Sequence, residues 1–364
     1  MDRSLLRAAL CTGLATVGLP AATWAQDSDG WDFYGQLNFG VLTSDNGFDT
    51  HSSFADNANS PSRIGLFYDR ALAGGSQFRF NFETSFGATS TASVNGDDNS
   101  FDIDYDETRL RKLEGIVTIP GVGRLSFGQG STATDGVAEA DFSGTGVVIY
   151  SGIADLAGAQ EFYDTSGDPS GISVGSVFGS FDGARRFRAR YDTPQLNGFT
   201  FSISAGEEVL VDGDDNEYYD IGGRYLRDYG DMQVDARLGY SWRGGPVELL
   251  SGSLALLHEP SGFNVAFASG REQTGGDAEY GYVKLGLIRN WSAYGPTAFA
   301  VDYYDGSDFQ VSGSESTAIG LGFVQTVEQY NLDLYAAWKR YEYDGGGSDL
   351  EDMDVTFVGA RWTF

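Results

Sequence analysis

The feature that most constrains the fold is a two-residue alternation of apolar and polar side chains that recurs along most of the chain. In the segment 77–86, QFRFNFETSF, phenylalanine stands at every second position from Phe78 to Phe82. The alternate positions, from Gln77 to Ser85, are polar and include Arg79 and Glu83. Because successive side chains of a strand point to opposite faces, this pattern predicts a strand with one apolar face and one ionic face.

The same alternation predicts about sixteen strands, each close to the roughly ten residues that cross a bilayer at a tilt. Beyond the first residues, no stretch offers the roughly 18 consecutive apolar residues of a membrane helix, so strands would have to do any spanning. The expected strands are 34–42, 63–70, 77–86, 109–119, 124–129, 186–192, 199–206, 218–226, 232–242, 249–258, 263–269, 280–288, 297–304, 317–325, 332–340 and 355–364.

The connections between these strands alternate in length, which is typical of bacterial outer-membrane barrels. Short turns are expected at 71–76, 120–123, 193–198, 227–231, 259–262, 290–295 and 327–330. Longer links are expected at 43–61, 87–107, 130–184, 207–217, 270–278, 305–315 and 342–353, with 243–248 as the one short exception. The longer links hold most of the acidic residues, so we expect one strongly anionic rim.

The polar face of the strands decides between a membrane barrel and a soluble sandwich, since both have one apolar face. Charged residues such as Arg63, Glu83 and Asp302 stand singly in the middle of strands. A water-filled lumen keeps such charges solvated. The sequence therefore predicts an all-β fold, a closed antiparallel transmembrane β-barrel of about sixteen strands.

The overall charge excludes one class of partner. The chain has 23 Lys+Arg against 52 Asp+Glu, a formal net charge of −29. This charge repels a phosphate backbone, so we expect no nucleic-acid partner. With 41% hydrophobic and 14% aromatic residues, the chain is also too apolar to be a disordered acidic tail.

The first 25 residues have the pattern of a secretory signal peptide. Arg3 and Arg7 flank the start of an apolar stretch, and the segment AATWAQ fits cleavage after Ala25. We therefore expect an exported protein whose mature part, 26–364, is a single barrel domain. Because Cys11 is the only cysteine, this mature part contains none.

Three segments together resemble the Gram-negative porin family. The segment Arg186–Phe201, RFRARYDTPQLNGFTF, resembles the porin pattern of a strand ending in Tyr-x-Ser/Thr-Pro, a short turn with glycine and an aromatic strand. The opening YGQLNFGVL and the ending GARWTF, with Phe364 last, are also similar to that family. The resemblance covers essentially the whole mature chain.

This resemblance implies a sixteen-stranded barrel in the bacterial outer membrane through which small hydrophilic solutes diffuse, with no cofactor and no chemical step. It implies a homotrimer in contact with outer-membrane lipid and lipopolysaccharide. It also implies that the terminal aromatic, Phe364, is the signal that the barrel-assembly machinery reads.

The link 130–184 is longer than the roughly 15 residues beyond which structureless loops are usually functional or disordered. It follows the fifth predicted strand, where the resembled family has a loop that folds inward and constricts the channel. The resemblance implies that acids of this loop face arginines of the wall, and opposed charges of this kind select ions. The wall candidates are Arg63, Arg79, Arg111, Arg186, Arg188 and Arg190, and the loop candidates are Asp135, Glu139, Asp141, Asp155 and Glu161.

Two readings of these charges stay open from the sequence. The excess of acid predicts a mild cation preference, which the wall arginines oppose. Alternatively, the arginines only pair with neighbouring lumen acids and tune nothing.

An enzyme finds little support in the sequence, although a hydrolase on a barrel scaffold stays open because a fold does not fix a function. The only histidines, His51 and His258, have no recognisable nucleophile partner. No metal-ligand spacing stands out, and the mature part lacks cysteine ligands.

Two further alternatives concern ligands. A calcium-binding β-protein would use the acids of Asp212–Glu217, but Glu217 stands where a calcium loop needs glycine. Loosely bound Ca²⁺ that bridges the acidic links to each other or to lipopolysaccharide is the weaker form of this hypothesis. A sugar-selective channel would need an inward aromatic track, for which only Tyr280 and Tyr282 are candidates.

Overall fold

The structure, a computed structural model, describes residues 29–364 except 97, 215, 246, 346 and 348. The predicted leader 1–25 lies outside the described residues. The strands are β1 (Gly30–Asp45), β2 (Thr50–Asp56), β3 (Arg63–Ala71), β4 (Gln77–Ser85), β5 (Leu110–Ile119), β6 (Gly123–Ser131), β7 (Glu161–Tyr163), β8 (Pro169–Ser173), β9 (Arg185–Asp192), β10 (Phe199–Glu207), β11 (Glu217–Asp228), β12 (Met232–Arg243), β13 (Val247–His258), β14 (Phe263–Thr274), β15 (Glu279–Ser292), β16 (Gly295–Ser307), β17 (Glu315–Val327), β18 (Leu332–Asp344) and β19 (Met353–Thr363).

Seventeen of these strands form one sheet that closes on itself, because β1 pairs with β19 as well as with β2 and β3. The closing register sets Leu37 opposite Trp362, and every pairing around the sheet is antiparallel. β2 pairs with the second half of β1 and β3 with the first half. The two short strands thus share one position in the wall, and the barrel has sixteen positions, as predicted.

The predicted strands fall one to one on these positions, but the predicted link 43–61 is wrong. β1 continues to Asp45 and β2 begins at Thr50, so the connection is only 46–49. The turn is built by Asn46, whose Oδ1 accepts the N–H groups of Phe48 and Asp49. The sequence of β2, THSSFAD, has polar residues on both faces, and this hides the alternation.

The distribution of side chains is inverted relative to a soluble protein. Phe127 is 62% exposed and Leu238 is 60% exposed on the outer face. Asn81, Lys284 and Asp302 are buried inside the barrel. A membrane barrel has this arrangement, because apolar side chains on its outer face contact lipid and polar or charged side chains face its interior. None of the helices in the described part of the chain is long and apolar enough to cross a membrane.

The two rims differ in the length of their connections. One rim, here called the turn rim, has connections of two to six residues, such as 120–122 and 293–294. The other, the loop rim, carries 86–109, 132–184, 208–216 and 345–352. In outer-membrane barrels the short turns are periplasmic and the longer loops are extracellular.

The segment 132–184, here called the inner loop, is folded inside the barrel. It contains a 3-10 turn (Ile153–Leu156), the β7–β8 hairpin and one short helix, α1 (Val174–Val177). Its apolar side chains Ile149 and Phe162 share a buried core with Tyr304 and Tyr341 of the wall. Gly322 makes room for this contact, because a Cβ there would lie 2.8 Å from Ile149 Cδ1.

Candidate functional site

The two ends of the inner loop meet on the inner face of the wall. Asp182, near the end of the loop, accepts the N–H groups of Gly136 and Ala138, both at 2.7 Å. The start of the loop lies close to β12 because Gly239 has no side chain, since a Cβ there would lie 2.8 Å from Thr134 Cγ2. These contacts fix the position of the acids that follow.

Three carboxylates stand together at this junction, namely Asp135, Glu139 and Asp182. Asp135 Oδ2 is buried and accepts no hydrogen bond from the described residues. Burial, followed by the charges of Asp182 and Asp135, raises the pKa of Glu139 well above its ordinary value. Burial and the charge of Asp135 raise the pKa of Asp182 to about 7. Asp182 is therefore expected to change charge near neutral pH.

A group of cations stands on the wall around Glu83. Arg111 Nε lies 2.6 Å from Glu83 Oε1, and Arg63 Nε lies 3.4 Å from Glu83 Oε2. Lys112 and Arg111 are neighbours in sequence, yet the charges of both act on Glu83. A β-bulge explains this, because Glu83 pairs with Lys112 and Thr84 with Leu110, which leaves Arg111 as the extra residue. Bulges often re-aim a side chain in this way.

Arg185 links the two groups of charges. It is the first residue of β9, where the chain leaves the inner loop. Its Nε is buried without a hydrogen-bond partner among the described residues. The carboxylates whose charges act on it are those of Asp135, Glu83, Glu139 and Asp182. Arg185 thus stands between the loop acids and the wall cations, and it forms no ion pair with a loop acid or with Glu83 in the described part of the chain.

We call the loop acids, Arg185 and the wall cations the charged waist; its members are Asp135, Glu139, Asp182, Arg185, Arg63, Arg111, Lys112 and Glu83. It brings together four of the predicted candidates, namely Arg63, Arg111, Asp135 and Glu139. The sequence analysis missed Arg185, Asp182 and Lys112, and it placed Glu83 on the ionic face of its strand without making it a candidate for the site. The dense run Arg185–Arg190 was a signal for the first, but alternation alone does not tell which of its arginines stays unpaired.

The other wall candidates are held by individual carboxylates. Arg79 forms a two-point pair with Asp69 at 2.7 and 2.6 Å, toward the turn rim. Arg188 is buried, with Nη2 at 2.5 Å from Glu114 Oε2. Two further pairs are Arg186 with Glu208 at 2.9 Å and Arg190 with Asp192 at 2.8 Å. These four arginines fit the simpler reading, in which they pair with neighbouring lumen acids.

Three of the loop candidates also have other partners. Asp141 Oδ2 lies 2.8 Å from Lys284 Nζ, and both side chains are buried. Asp155 accepts a hydrogen bond from the hydroxyl of Tyr150. Glu161 accepts one from the N–H of Gly171 and so closes the β7–β8 hairpin. The structure does not bring these three acids to the wall arginines.

The inward tyrosines give no support to an aromatic track for sugars. Tyr280 and Tyr282 do face inward, as the alternation suggested, but they are only 3% and 6% exposed. Tyr280 packs against Phe181 of the inner loop, with ring centroids 5.9 Å apart. A ring covered by the loop has no free face for a passing solute.

The described residues contain no group of three or more His, Cys, Asp or Glu side chains arranged to hold a metal ion. The acidic segment Asp212–Glu217 includes residue 215, which lies outside the described residues. Loose binding of Ca²⁺ at the acidic links therefore stays a prediction.

The last residue completes the seam of the barrel. Phe364 exchanges two backbone hydrogen bonds with Gly35, at 2.9 and 3.1 Å. Its ring lies over Gly35, because a Cβ there would be 2.6 Å from Phe364 Cζ. A side chain at position 35 would displace this ring.

The raised pKa values of Glu139 and Asp182 predict a pH-dependent ion preference. At pH 9 Asp182 is ionised and favours cations; at pH 5 it is protonated, and the preference for cations falls. Glu139, whose pKa is also raised, is more readily protonated than an ordinary glutamate as the pH falls and acts in the same direction. Reversal potentials in a KCl gradient at the two pH values measure this change. Asp182→Asn should reduce the part of the change that occurs near pH 7, and a preference independent of pH would contradict the assignment.

A closed sixteen-strand barrel with apolar residues outside and ionic residues inside defines the class of outer-membrane channels. The chain matches the model of the Gram-negative porin family over residues 8–346, and it belongs to that family. The predicted family, fold class and outer-membrane location are thereby confirmed. No curated protein was found to match the chain.

Solved porin structures have the same fold. An anion-selective porin from Comamonas acidovorans is 17% identical, with 93% of this chain and 100% of that chain covered and a TM-score of 0.60. OprB of Pseudomonas putida is 12% identical, with 92% and 94% covered and a TM-score of 0.62. The trimer form of OmpT, an outer membrane protein of Vibrio cholerae, is 14% identical, with 93% and 100% covered and a TM-score of 0.59. At these identities the likeness concerns the fold alone.

Proposed function

We propose that this channel is a passive, charge-selective pore for small hydrophilic solutes and ions, without a chemical step, and that the charged waist sets its selectivity. The observation that carries the proposal is the absence of ion pairs between the described loop acids Asp135 and Glu139 and the wall cation Arg185. Charges that are not neutralised by a partner act on whatever passes between them.

The two sides of the waist pull in opposite directions. Asp135, Glu139 and Asp182 favour cations, whereas Arg185 and Lys112 favour anions. The single negative charge of Glu83 neutralises the positive charge of only one of its two arginine partners. The acidic links at the loop rim add to the attraction for cations, so we expect a mild cation preference when the loop acids are ionised. A dipolar solute would turn in the field between the two sides.

Replacing Arg185 tests the wall side of this proposal. Arg185→Gln removes one positive charge, and a unit charge at 4 Å contributes about 1 kcal/mol in water, or about five-fold in relative permeability. The ratio of K⁺ to Cl⁻ permeability, measured at pH 8.5 by reversal potential, should therefore rise by about that factor. Arg289→Gln, on the outer face near the turn rim, is the matched control and should leave the ratio unchanged. Equal ratios in both variants would overturn the role of Arg185.

The remaining features of the proposal follow from the family. The segment 1–25 is proposed to be removed on export, which leaves the barrel domain 26–364. The active form is proposed to be a homotrimer, surrounded by lipid and lipopolysaccharide, and Phe364 is proposed to serve as the signal for the barrel-assembly machinery. The trimer form reported for a similar fold supports the oligomeric state.

A further inference from the structure

The link between β16 and β17, residues 308–314, carries one buried aromatic side chain. Phe309 is only 8% exposed, although Val311 of the same link is 48% exposed. The backbone turns the ring inward through two residues in the left-handed region, with φ of 61° at Asp308 and 60° at Gln310. Side chains disfavour this region, and a residue such as glutamine stays there only when surrounding contacts compensate. The contacts of the Phe309 ring therefore maintain its inward position.

The ring of Phe309 contacts the end of the inner loop. It stacks on the ring of Phe181, with centroids 5.6 Å apart and an angle of 15° between the planes. Glycines on both sides make room for it, because a Cβ at Gly179 would lie 2.8 Å from Phe309 Cε1 and one at Gly306 2.9 Å from Phe309 Cε2. A backbone approaches a ring this closely only where it has no side chain. The ring is thus enclosed between the inner loop and β16.

Backbone strain is concentrated at this contact. Five non-glycine residues of the described chain have a positive φ, and two of them are asparagines in connections of the turn rim, which tolerate it. The other three are Asp308, Gln310 and Phe181, whose φ is 49°. All three flank or form the contact between Phe309 and Phe181. Backbone strain of this kind is found mainly at functional sites and switch regions.

Phe181 connects this contact to the charged waist. It directly precedes Asp182, whose carboxylate accepts the N–H groups of Gly136 and Ala138, both at 2.7 Å. The other two loop acids adjoin Gly136 and Ala138 in sequence. A displacement of Phe181 would therefore move Asp182, and with it the backbone that positions the loop acids.

We propose that Phe309 is a positioning residue of the channel, whose ring holds Phe181 in place and thereby holds the inner loop in its conducting position. Phe309 carries no charge, and it acts on the passing ions through Phe181 and Asp182. Its carbonyl oxygen accepts the N–H of Val311 at 2.7 Å and the hydroxyl of Ser314 at 2.9 Å, so the link is folded around the inserted residue. The inference rests on the channel but not on the selectivity proposed for the charged waist.

Single-channel recording of Phe309 variants tests the proposal. Phe309→Ala removes the stacked ring, and an aromatic pair changes an equilibrium by up to about ten-fold. We therefore expect brief current fluctuations to be about ten-fold more frequent than in the parent, because the end of the inner loop leaves its position more often. Phe309→Leu, which keeps an apolar side chain, should recover part of the effect. Phe181→Ala combined with Phe309→Ala should be no worse than either variant alone, because the two rings act as one unit.

A glycine variant tests the same contact without removing an atom. Gly179→Ala adds a Cβ that displaces the ring of Phe309, and it should also raise the frequency of fluctuations. Gly281→Ala is the matched control, because a Cβ there meets nothing within 4 Å. Val311→Ala, on the exposed part of the link, is the second control. Both controls should match the parent.

A control in the wall separates positioning from general packing. Phe357→Ala removes a buried ring whose partner, Tyr335, also belongs to the wall, with centroids 5.5 Å apart. It should lower heat stability and leave the fluctuations unchanged. Parent frequency in both Phe309→Ala and Gly179→Ala, or an equal rise in Phe357→Ala, would overturn the inference. An unchanged permeability ratio in Arg185→Gln together with frequent fluctuations in Phe309→Ala would overturn only the proposed selectivity and support this inference.

Discussion

Removing the two acids of the inner loop that form no ion pair with the described residues, Asp135 and Glu139, should produce a large change in ion preference. We expect the double variant Asp135→Asn, Glu139→Gln to shift the K⁺ to Cl⁻ permeability ratio toward anions at alkaline pH, because it removes two carboxylates. A unit charge at 4 Å contributes about 1 kcal/mol in water, so two charges give a shift of up to about 30-fold. Salt screening lowers this value, and the measurement should use dilute KCl.

A matched control uses acids of the loop rim that lie outside the waist. Asp212 and Asp349 are exposed residues of two different links, and Asp212→Asn together with Asp349→Asn removes the same number of charges. This control should change the ratio much less than the loop variant does. Equal shifts in the two double variants would mean that the total charge of the rim, and not the waist, sets the selectivity.

Breaking the buried ion pair that holds the inner loop should have the largest effect on stability. Lys284 Nζ donates to Asp141 Oδ2 at 2.8 Å and to the carbonyl oxygen of Ile149 at 3.0 Å. Lys284→Met leaves the Asp141 carboxylate buried without its partner, which typically costs about 3–5 kcal/mol. We expect the barrel to unfold at a lower temperature, measured as the temperature at which heating changes the migration of the protein on a denaturing gel. We also expect more current noise in the open channel, because the loop is less firmly attached.

Two controls separate the anchoring of the loop from a general weakening of the barrel. Lys284→Met combined with Asp141→Asn removes both charges, and should recover much of the lost stability because no buried charge is left alone. Lys339→Met breaks a second buried pair, with Asp302, whose two members both belong to the wall. It should lower stability without the added current noise. A Lys284→Met protein with parent heat stability and parent noise would show that Asp141 does not anchor the loop.

The strands were predictable from sequence because their two faces meet different solvents. Alternation of Phe78, Phe80 and Phe82 with polar residues directly reflects lipid on one side and an ionic lumen on the other. Where both faces are polar, as in β2, the signal disappears, and the link 43–61 was predicted in place of a strand. Loop length was equally informative, since the inner loop was recognised by its size and its position after the fifth strand.

The details of the waist were less predictable, because they depend on contacts between distant parts of the chain. Asp182 joins the loop acids by hydrogen bonds to Gly136 and Ala138, more than forty residues away in sequence. A bulge, which alternation cannot reveal, turns both Arg111 and Lys112 toward Glu83. Asp141 was a candidate for the waist on sequence grounds, but Lys284 on a strand far along the chain holds it elsewhere.

The central claim is that ions pass through the barrel beside the acids of the inner loop. Residues 26–364 contain no cysteine, so in a protein expressed from residue 26 a single cysteine introduced as Glu139→Cys can be modified selectively in a planar bilayer. We predict that a charged methanethiosulfonate reagent added during recording lowers the single-channel conductance of Glu139→Cys in one step per pore and leaves Asp349→Cys unaffected. Full conductance after complete modification of Glu139→Cys, verified by mass spectrometry, would contradict the account.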